Sequence, residues 1–291
     1  MVIPADLKEL YPFESKYMSI DAEQNRLHYV ETGHGDEALV CVHGNPTWSF
    51  YFRNVLKHVQ SVKRIIAFDH MGCGLSDNPK NYDFHLAQHI ENLSALIEKL
   101  EVKKVHLLLH DWGGAIGCGW AVNNLDTVAS ITLSNTAAFH SNRIPFRISL
   151  CRIPFFGSWW IRKCNGFAWP ATFMATYWGL DRIVKKGLLW PYRKHERRIA
   201  ILKFVEDIPL SINHKSRPLI QEIESKLNKI TVPTNIIWGQ RDFCFDMTFF
   251  KKWLSIFPNS KTTVISDASH YVLEDAPLEY VNHVDKFLER L

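Results

Sequence analysis

The chain has 291 residues, 46% of them hydrophobic and 22% charged, with a formal net charge of +4. That length suits one large domain or a domain carrying a substantial insertion, and the composition excludes intrinsic disorder, collagen-like repeats and low-complexity assembly. The six cysteines, at 41, 73, 118, 151, 164 and 244, form no C-x-x-C pair, so free thiols are expected rather than bridges or a zinc site.

The opening stretch MVIPADLKELYPFESKYMSI contains acids and no apolar run, which predicts neither a secretory signal nor a transit peptide and points to the cytoplasm. Short apolar runs follow at 17–20 and 26–31, read as an antiparallel edge pair. Further runs rich in β-branched residues at 39–43, 64–69, 105–110, 128–134, 234–238 and 261–265 read as buried strands. Helical periodicity lies between the early ones. In 82–100, for example, Leu86, Ile90, Leu93, Leu96, Ile97 and Leu100 share one face. Strand and helix in alternation predict an α/β fold with a mostly parallel sheet flanked by helices.

The rhythm stops after Asn135. Residues 140–228 show helix-like stretches interrupted by prolines and no strand pattern, which predicts a helical cap inserted after the sixth strand. The core is then 1–139 and 229–291. The cap holds sixteen basic and six acidic residues, while the rest of the chain is net acidic. It is either a solvated basic surface or one that meets an acidic partner or the inner face of an anionic membrane. No nucleic acid is expected as a partner. Its five tryptophans, Trp159, Trp160, Trp169, Trp178 and Trp190, are expected to fill a small helical core, some of them lining a pocket. The longest uncharged stretch, 164–180, is interrupted by Asn165, Gly166, Pro170 and Gly179. It falls short of the roughly 20 apolar residues that a membrane span needs.

In an open α/β sheet, reactive groups collect at the carboxyl ends of strands. The run VHLLLH ends in Asp111, then Trp112, Gly113, Gly114 and a small-residue helix. This reads as a nucleophile elbow with Asp in place of Ser, although Leu109 stands where Gly is usual; an Asp capping the next helix is the plainer alternative. Asp242 follows a later strand and His270 the last one, which matches the chain order of α/β-hydrolase triads. Asp246 is a rival for the acid. Asn45, in HGNPTW, and the indole N–H of Trp112 are donors for negative charge on a leaving group. Gly72, Gly74 and Ser76, in DHMGCGLSD, read as structural. A carboxylate nucleophile attacks amides poorly but displaces a good leaving group from an sp3 carbon, forming an alkyl ester on the enzyme. No cofactor or metal is expected.

Together HGNPTW, DHMGCGLSD, HDWGG, Asp242 and His270 resemble the haloalkane dehalogenase branch of the α/β-hydrolase fold. That resemblance implies Asp111 as nucleophile, Asn45 and Trp112 as halide donors and His270 as water-activating base. The strings NTAAFHSNRIPFRISLCRIPFFG, NGFAWPATFMA, RRIAILKFVEDIPL and WGQRDFCFD are similar to the OleB family, β-lactone decarboxylases of bacterial long-chain olefin biosynthesis. That closer resemblance implies conversion of a cis-dialkyl β-lactone to a cis-alkene and carbon dioxide, beside other olefin-biosynthesis proteins, with His270 in an electrostatic role. Dehalogenase chemistry is the alternative. Epoxide hydrolysis, with Tyr177 and Tyr192 as acids, and a non-catalytic relative are further ones.

Overall fold

The structure, a computed structural model, describes residues 3–20 and 24–291. Eight strands form one sheet: β1 (Lys16–Ser19), β2 (Arg26–Gly33), β3 (Glu37–Val42), β4 (Arg64–Phe68), β5 (Lys104–Asp111), β6 (Val128–Thr136), β7 (Thr234–Gly239) and β8 (Lys261–Ile265). Their order is β1-β2-β4-β3-β5-β6-β7-β8. The pairs β1–β2 and β2–β4 are antiparallel and all others parallel. This is the mostly parallel α/β sheet expected from the sequence, with its antiparallel pair at the edge.

The central strands are continuous apolar runs because both faces are covered. In β3, Val40 and Val42 enter one core, with Leu107 and Leu109 of β5, while Leu39 and Cys41 enter the other, with Leu108. Helices α2 (Leu86–Lys99) and α3 (Trp112–Ala121) cover the first face. Helix α1 (Arg53–His58) and the helix Pro277–Leu288 cover the second. The predicted helix over 82–100 begins four residues late, at Leu86, whose N–H donates to Asp207 at 2.8 Å.

Between β6 and β7 the chain forms short helices, among them Phe156–Cys164, Ala168–Met174 and Ile199–Glu206. The tryptophan expectation needs correction here. Trp159, Trp160, Trp169 and Trp178 are 55%, 36%, 55% and 68% exposed, so they build no internal cap core. Pieces this short, separated at Pro154 and at left-handed Asn165, bury one stripe against the sheet and leave the other outward. The last helix of this segment, Arg217–Lys226, inserts Ile220 and Ile223 into the main core.

Four buried histidines lie under the cap and sheet ends. His43 Nδ1–H donates to the Gly44 carbonyl (2.7 Å), His70 donates to the His43 carbonyl (2.8 Å), and His89 stacks on Phe204 with both ring nitrogens unpartnered. Burial pushes His89 down to about 3, His70 and His110 well below the ordinary imidazole range, and His43 down as well. A histidine whose folded value is lowered binds fewer protons folded than unfolded, so its contribution is complete above the unfolded value and declines as pH falls below it. Thermal melts are therefore expected to lose stability from about pH 6.5 downward, by up to ~1.4 kcal/mol per pH unit for each such group. An unchanged melting temperature between about pH 7.5 and 5 would contradict this account of the four rings.

Candidate active site

Asp111 is the last residue of β5 and turns the chain straight into α3, at φ 53 and ψ −124. An L-residue in that region is strained, and the surroundings hold it there by close approach. A Cβ on Gly113 would lie 2.0 Å from the Val42 carbonyl oxygen, and one on Gly44 2.0 Å from Asp111 Oδ1. Glycine at both positions lets the β3 loop close on the elbow. Asp111 is only 8% exposed, so the turn that the sequence places at the carboxyl end of a strand is roofed over.

The Asn45 backbone N–H donates to Asp111 Oδ1 at 2.7 Å, and the Trp112 N–H also reaches the carboxylate. Oδ2 faces His270 Nε2 at 3.7 Å. His270 Nδ1–H donates to Asp242 Oδ2 at 2.9 Å. The structure thus brings Asp111, His270 and Asp242 into one line from three strand ends. Asp242 also accepts from Asn135 Nδ2 (2.9 Å) and the Cys244 N–H (2.6 Å).

Asp246 lies elsewhere. It caps the helix Met247–Ile256 through the Thr248 N–H at 2.8 Å and pairs with Arg143 at 2.7 Å on the surface. The two acids therefore separate by mutation. Asp246→Asn is expected to cost about 1 kcal/mol of stability at most and leave turnover intact. Asp242→Asn is expected to lower turnover by up to about 10²-fold, because it removes the charge that orients His270 and keeps it protonated. Equal kcat values for the two variants would overturn the assignment.

Electrostatics fit one anion facing one cation. Burial pushes the Asp111 carboxyl above the ordinary carboxylate range, against the pull of His270 and the Asn45 and Trp112 N–H groups. Burial works against a charged His270, but the charge and hydrogen bond of Asp242, with Asp111 beyond, outweigh it and raise the imidazole above its ordinary value. At neutral pH this favours an imidazolium beside a carboxylate.

Asn45 and Trp112 both line the cavity above Asp111. Asn45 Nδ2 donates to the Ile201 carbonyl at 3.1 Å. Since a carbonyl only accepts, this bond settles which end of the amide faces the cap and leaves one N–H free. Tyr192 is buried, with its hydroxyl donating to the Thr47 carbonyl (3.1 Å), and neither it nor Tyr177 lines the cavity, so neither is placed to act as a ring-opening acid. Gly74 has φ 49, and a Cβ there would lie 2.1 Å from the Asp69 carboxylate. Ser76 Oγ donates to the Asp69 carbonyl (2.6 Å), so this loop braces the neighbouring turn.

Two residues around the site, Asn135 and Cys244, escaped the sequence reading. Asn135, at φ 42, fixes Asp242 and accepts the Gly239 N–H (2.8 Å). A polar residue ending an apolar strand was its available signal. Cys244 borders the site, and Asp242, Cys244 and His270 bring one ligand atom each within 4.8 Å, which is ligand-like spacing among the described residues. Burial first, then the charges of Asp242 and Asp111, push the Cys244 thiol well up, which keeps it protonated beside the pair.

The cavity has two apolar arms that share Asn45, Asp111, Ile148, Phe167 and Cys244. One, of about 140 Å³, runs between Ala137, Phe139, Val205, Ile220 and Phe249. The other, of about 300 Å³, runs under the cap between Leu150, Phe156, Trp160, Met174 and Tyr271. Asp111 therefore sits at a fork.

Comparison with known proteins agrees with this architecture. A family model described as alpha/beta hydrolase fold matches residues 37–277. A cis-3-alkyl-4-alkyloxetan-2-one decarboxylase from Shewanella oneidensis is 36% identical, over 97% of this chain and 90% of that protein. One of the same name from Xanthomonas campestris pv. campestris is 33% identical, over 90% of this chain and 92% of that protein. The crystal structure of the haloalkane dehalogenase DatA from Agrobacterium tumefaciens superposes with a TM-score of 0.85 at 22% identity, covering 95% of this chain and 97% of that one, a likeness of fold. The chain belongs to the alpha/beta hydrolase family and, within it, to the group that holds the cis-3-alkyl-4-alkyloxetan-2-one decarboxylases.

Proposed function

We propose that this protein is a β-lactone decarboxylase that converts a cis-3,4-dialkyl oxetan-2-one to a cis-alkene and carbon dioxide. The observation that carries the reading is the fork: two apolar arms meet at one buried carboxylate, as a substrate with two alkyl chains flanking a small polar ring requires. The two relatives above bear the name of that reaction.

In the first step Asp111 attacks the ring carbon that bears oxygen. The carbon–oxygen bond breaks, and the ring opens to a carboxylate still attached to the neighbouring carbon. Asn45 Nδ2 and the Trp112 indole stabilise that carboxylate, and ring strain lowers the barrier. In the second step the carbon–carboxylate bond breaks, its electrons form the alkene, and the ester bond to Asp111 leaves as the restored carboxylate. Inversion followed by anti elimination keeps the alkyl groups cis. No water is consumed and no proton is transferred. Positively charged His270, oriented by Asp242, stays beside the migrating negative charge throughout. The protein works on the cytoplasmic side, alongside the other proteins of long-chain olefin synthesis.

Product analysis tests this reading. A synthetic cis-β-lactone is expected to give cis-alkene and carbon dioxide, while a 1-bromoalkane of matched length gives little bromide. Alcohol and bromide from the second substrate, with no alkene from the first, would replace it with a dehalogenase.

A further inference from the structure

Among the described residues, eighteen large hydrophobic side chains are exposed, and eleven of them fall between residues 146 and 178. Such concentration in 33 of 291 residues is unlike the scattered single exposures of an ordinary surface. The same stretch of chain, 140–180, contains Arg143, Arg147, Arg152, Arg162 and Lys163 and no acid. Arg147, Arg162 and Lys163 have no ion-pair partner among the described residues.

Phe155 is the sharpest feature of this face. It is 92% exposed, yet its backbone is held at φ 62 and ψ −51, with the Phe156 N–H donating to the Pro154 carbonyl at 2.7 Å. That is a γ-turn of the rare, strained hand. Strain in a non-glycine residue needs a reason, and no packing supplies one here, because the side chain touches mostly water. Phe155 and Trp159 share a shallow surface cleft with Arg162, Lys163 and His195. Leu150, Phe156 and Trp160 belong both to the exposed face and to the wall of the larger cavity arm.

We propose that the cap face between residues 146 and 178 docks on an anionic lipid bilayer, with Phe146, Phe155 and Trp159 entering the interface and Arg162 and Lys163 meeting the headgroups. Aromatic and basic side chains interleaved on one face are what an interfacial surface requires, and the basic excess complements anionic lipid. A second copy of this chain is the poorer occupant, since pairing the face with itself would set Arg147, Arg162 and Lys163 against their own copies, with Glu196, beside His195, the one acid near the cleft to offset them among the described residues. The lipid contact stands on these surface residues alone. Passage of a water-insoluble substrate from the bilayer into the larger arm rests on the reaction proposed above.

Co-sedimentation with vesicles tests the contact without any substrate, so its failure leaves the reaction untouched. The full chain is expected to bind vesicles containing phosphatidylglycerol at low salt, and phosphatidylcholine vesicles much less. A triple variant, Phe146→Ser, Phe155→Ser, Trp159→Ser, is expected to lose about tenfold or more in partitioning, while turning over a short-chain, soluble β-lactone within about twofold of the parent. Arg162→Glu with Lys163→Glu is expected to remove the preference for anionic lipid and its sensitivity to salt. No binding of the parent to phosphatidylglycerol vesicles, or equal binding of the triple variant, would overturn the proposal. So would a parent that is dimeric in solution where the triple variant is monomeric, or a triple variant that loses soluble-lactone turnover, since either would give these side chains another role.

Discussion

Asp111→Asn is expected to lower turnover of a cis-β-lactone by a factor on the order of 10⁴ or more while the protein melts at the same temperature as the parent or higher. The two effects have separate causes. An amide is no nucleophile toward a saturated carbon, so the ester cannot form. Stability follows from the sign of the Asp111 shift, in which burial raises the folded carboxyl above its unfolded value. A carboxyl shifted upward favours folding only in acid, and it costs stability once pH passes the unfolded value near 4. At neutral pH the parent therefore holds an ionised group that its surroundings disfavour. Asparagine removes the charge and keeps an oxygen for the Asn45 N–H, a bond 2.7 Å long in the parent. Asp111→Ala is the harsher change, because it strands that buried N–H at about 1–3 kcal/mol. Turnover of Asp111→Asn within tenfold of the parent, measured beside its melting curve, would remove Asp111 from the mechanism.

His270→Gln separates a lyase from a hydrolase. In a hydrolase the imidazole must deprotonate water after the ester forms, and losing that base strands an alkyl group on Asp111. Here the ring sits 3.7 Å from Asp111 and is biased toward its charged form, which suits holding an anion and not accepting a proton. The variant is expected to slow lactone turnover on the order of 10²-fold, the loss of a stabilising charge, without accumulating alkyl-enzyme. Turnover in heavy-oxygen water makes the same distinction in the parent. Elimination returns both Asp111 oxygens unchanged, whereas hydrolysis through the carbonyl carbon would label them over repeated cycles. Label in the Asp111 peptide after many lactone turnovers, or a stable mass increase on that peptide in His270→Gln, would refute decarboxylation by this route.

The pH profile follows from the same pair. Activity is expected to rise as Asp111 ionises, at a pH above the ordinary carboxylate value, and to fall in base as His270 loses its proton above the ordinary imidazole value. A rate that climbs through the His270 titration would indicate a neutral base instead.

Much of this molecule is determined locally and is therefore readable from the chain. Runs such as Leu39–Val42 are apolar at every position because helices cover both faces of a parallel sheet, so eight strands and their sequence order show through the pattern of apolar runs. The elbow is local too, since Gly113 and Gly114 are needed within three residues of Asp111. What depends on meetings between distant segments is not readable in this way. Asp242 and Asp246 are equivalent as letters, and only the fold turns one toward His270 and the other to the start of a helix beside Arg143. Asn135, more than a hundred residues before Asp242, holds it by a bond that no spacing rule announces. The tryptophans of the cap show the limit most plainly. A large apolar residue in an amphipathic segment faces either inward or outward, and the side is set by which stripe the sheet already occupies. In this chain the sheet ends take Ile148, Phe167 and Val205, so Trp159, Trp169 and Trp178 are left facing the solvent.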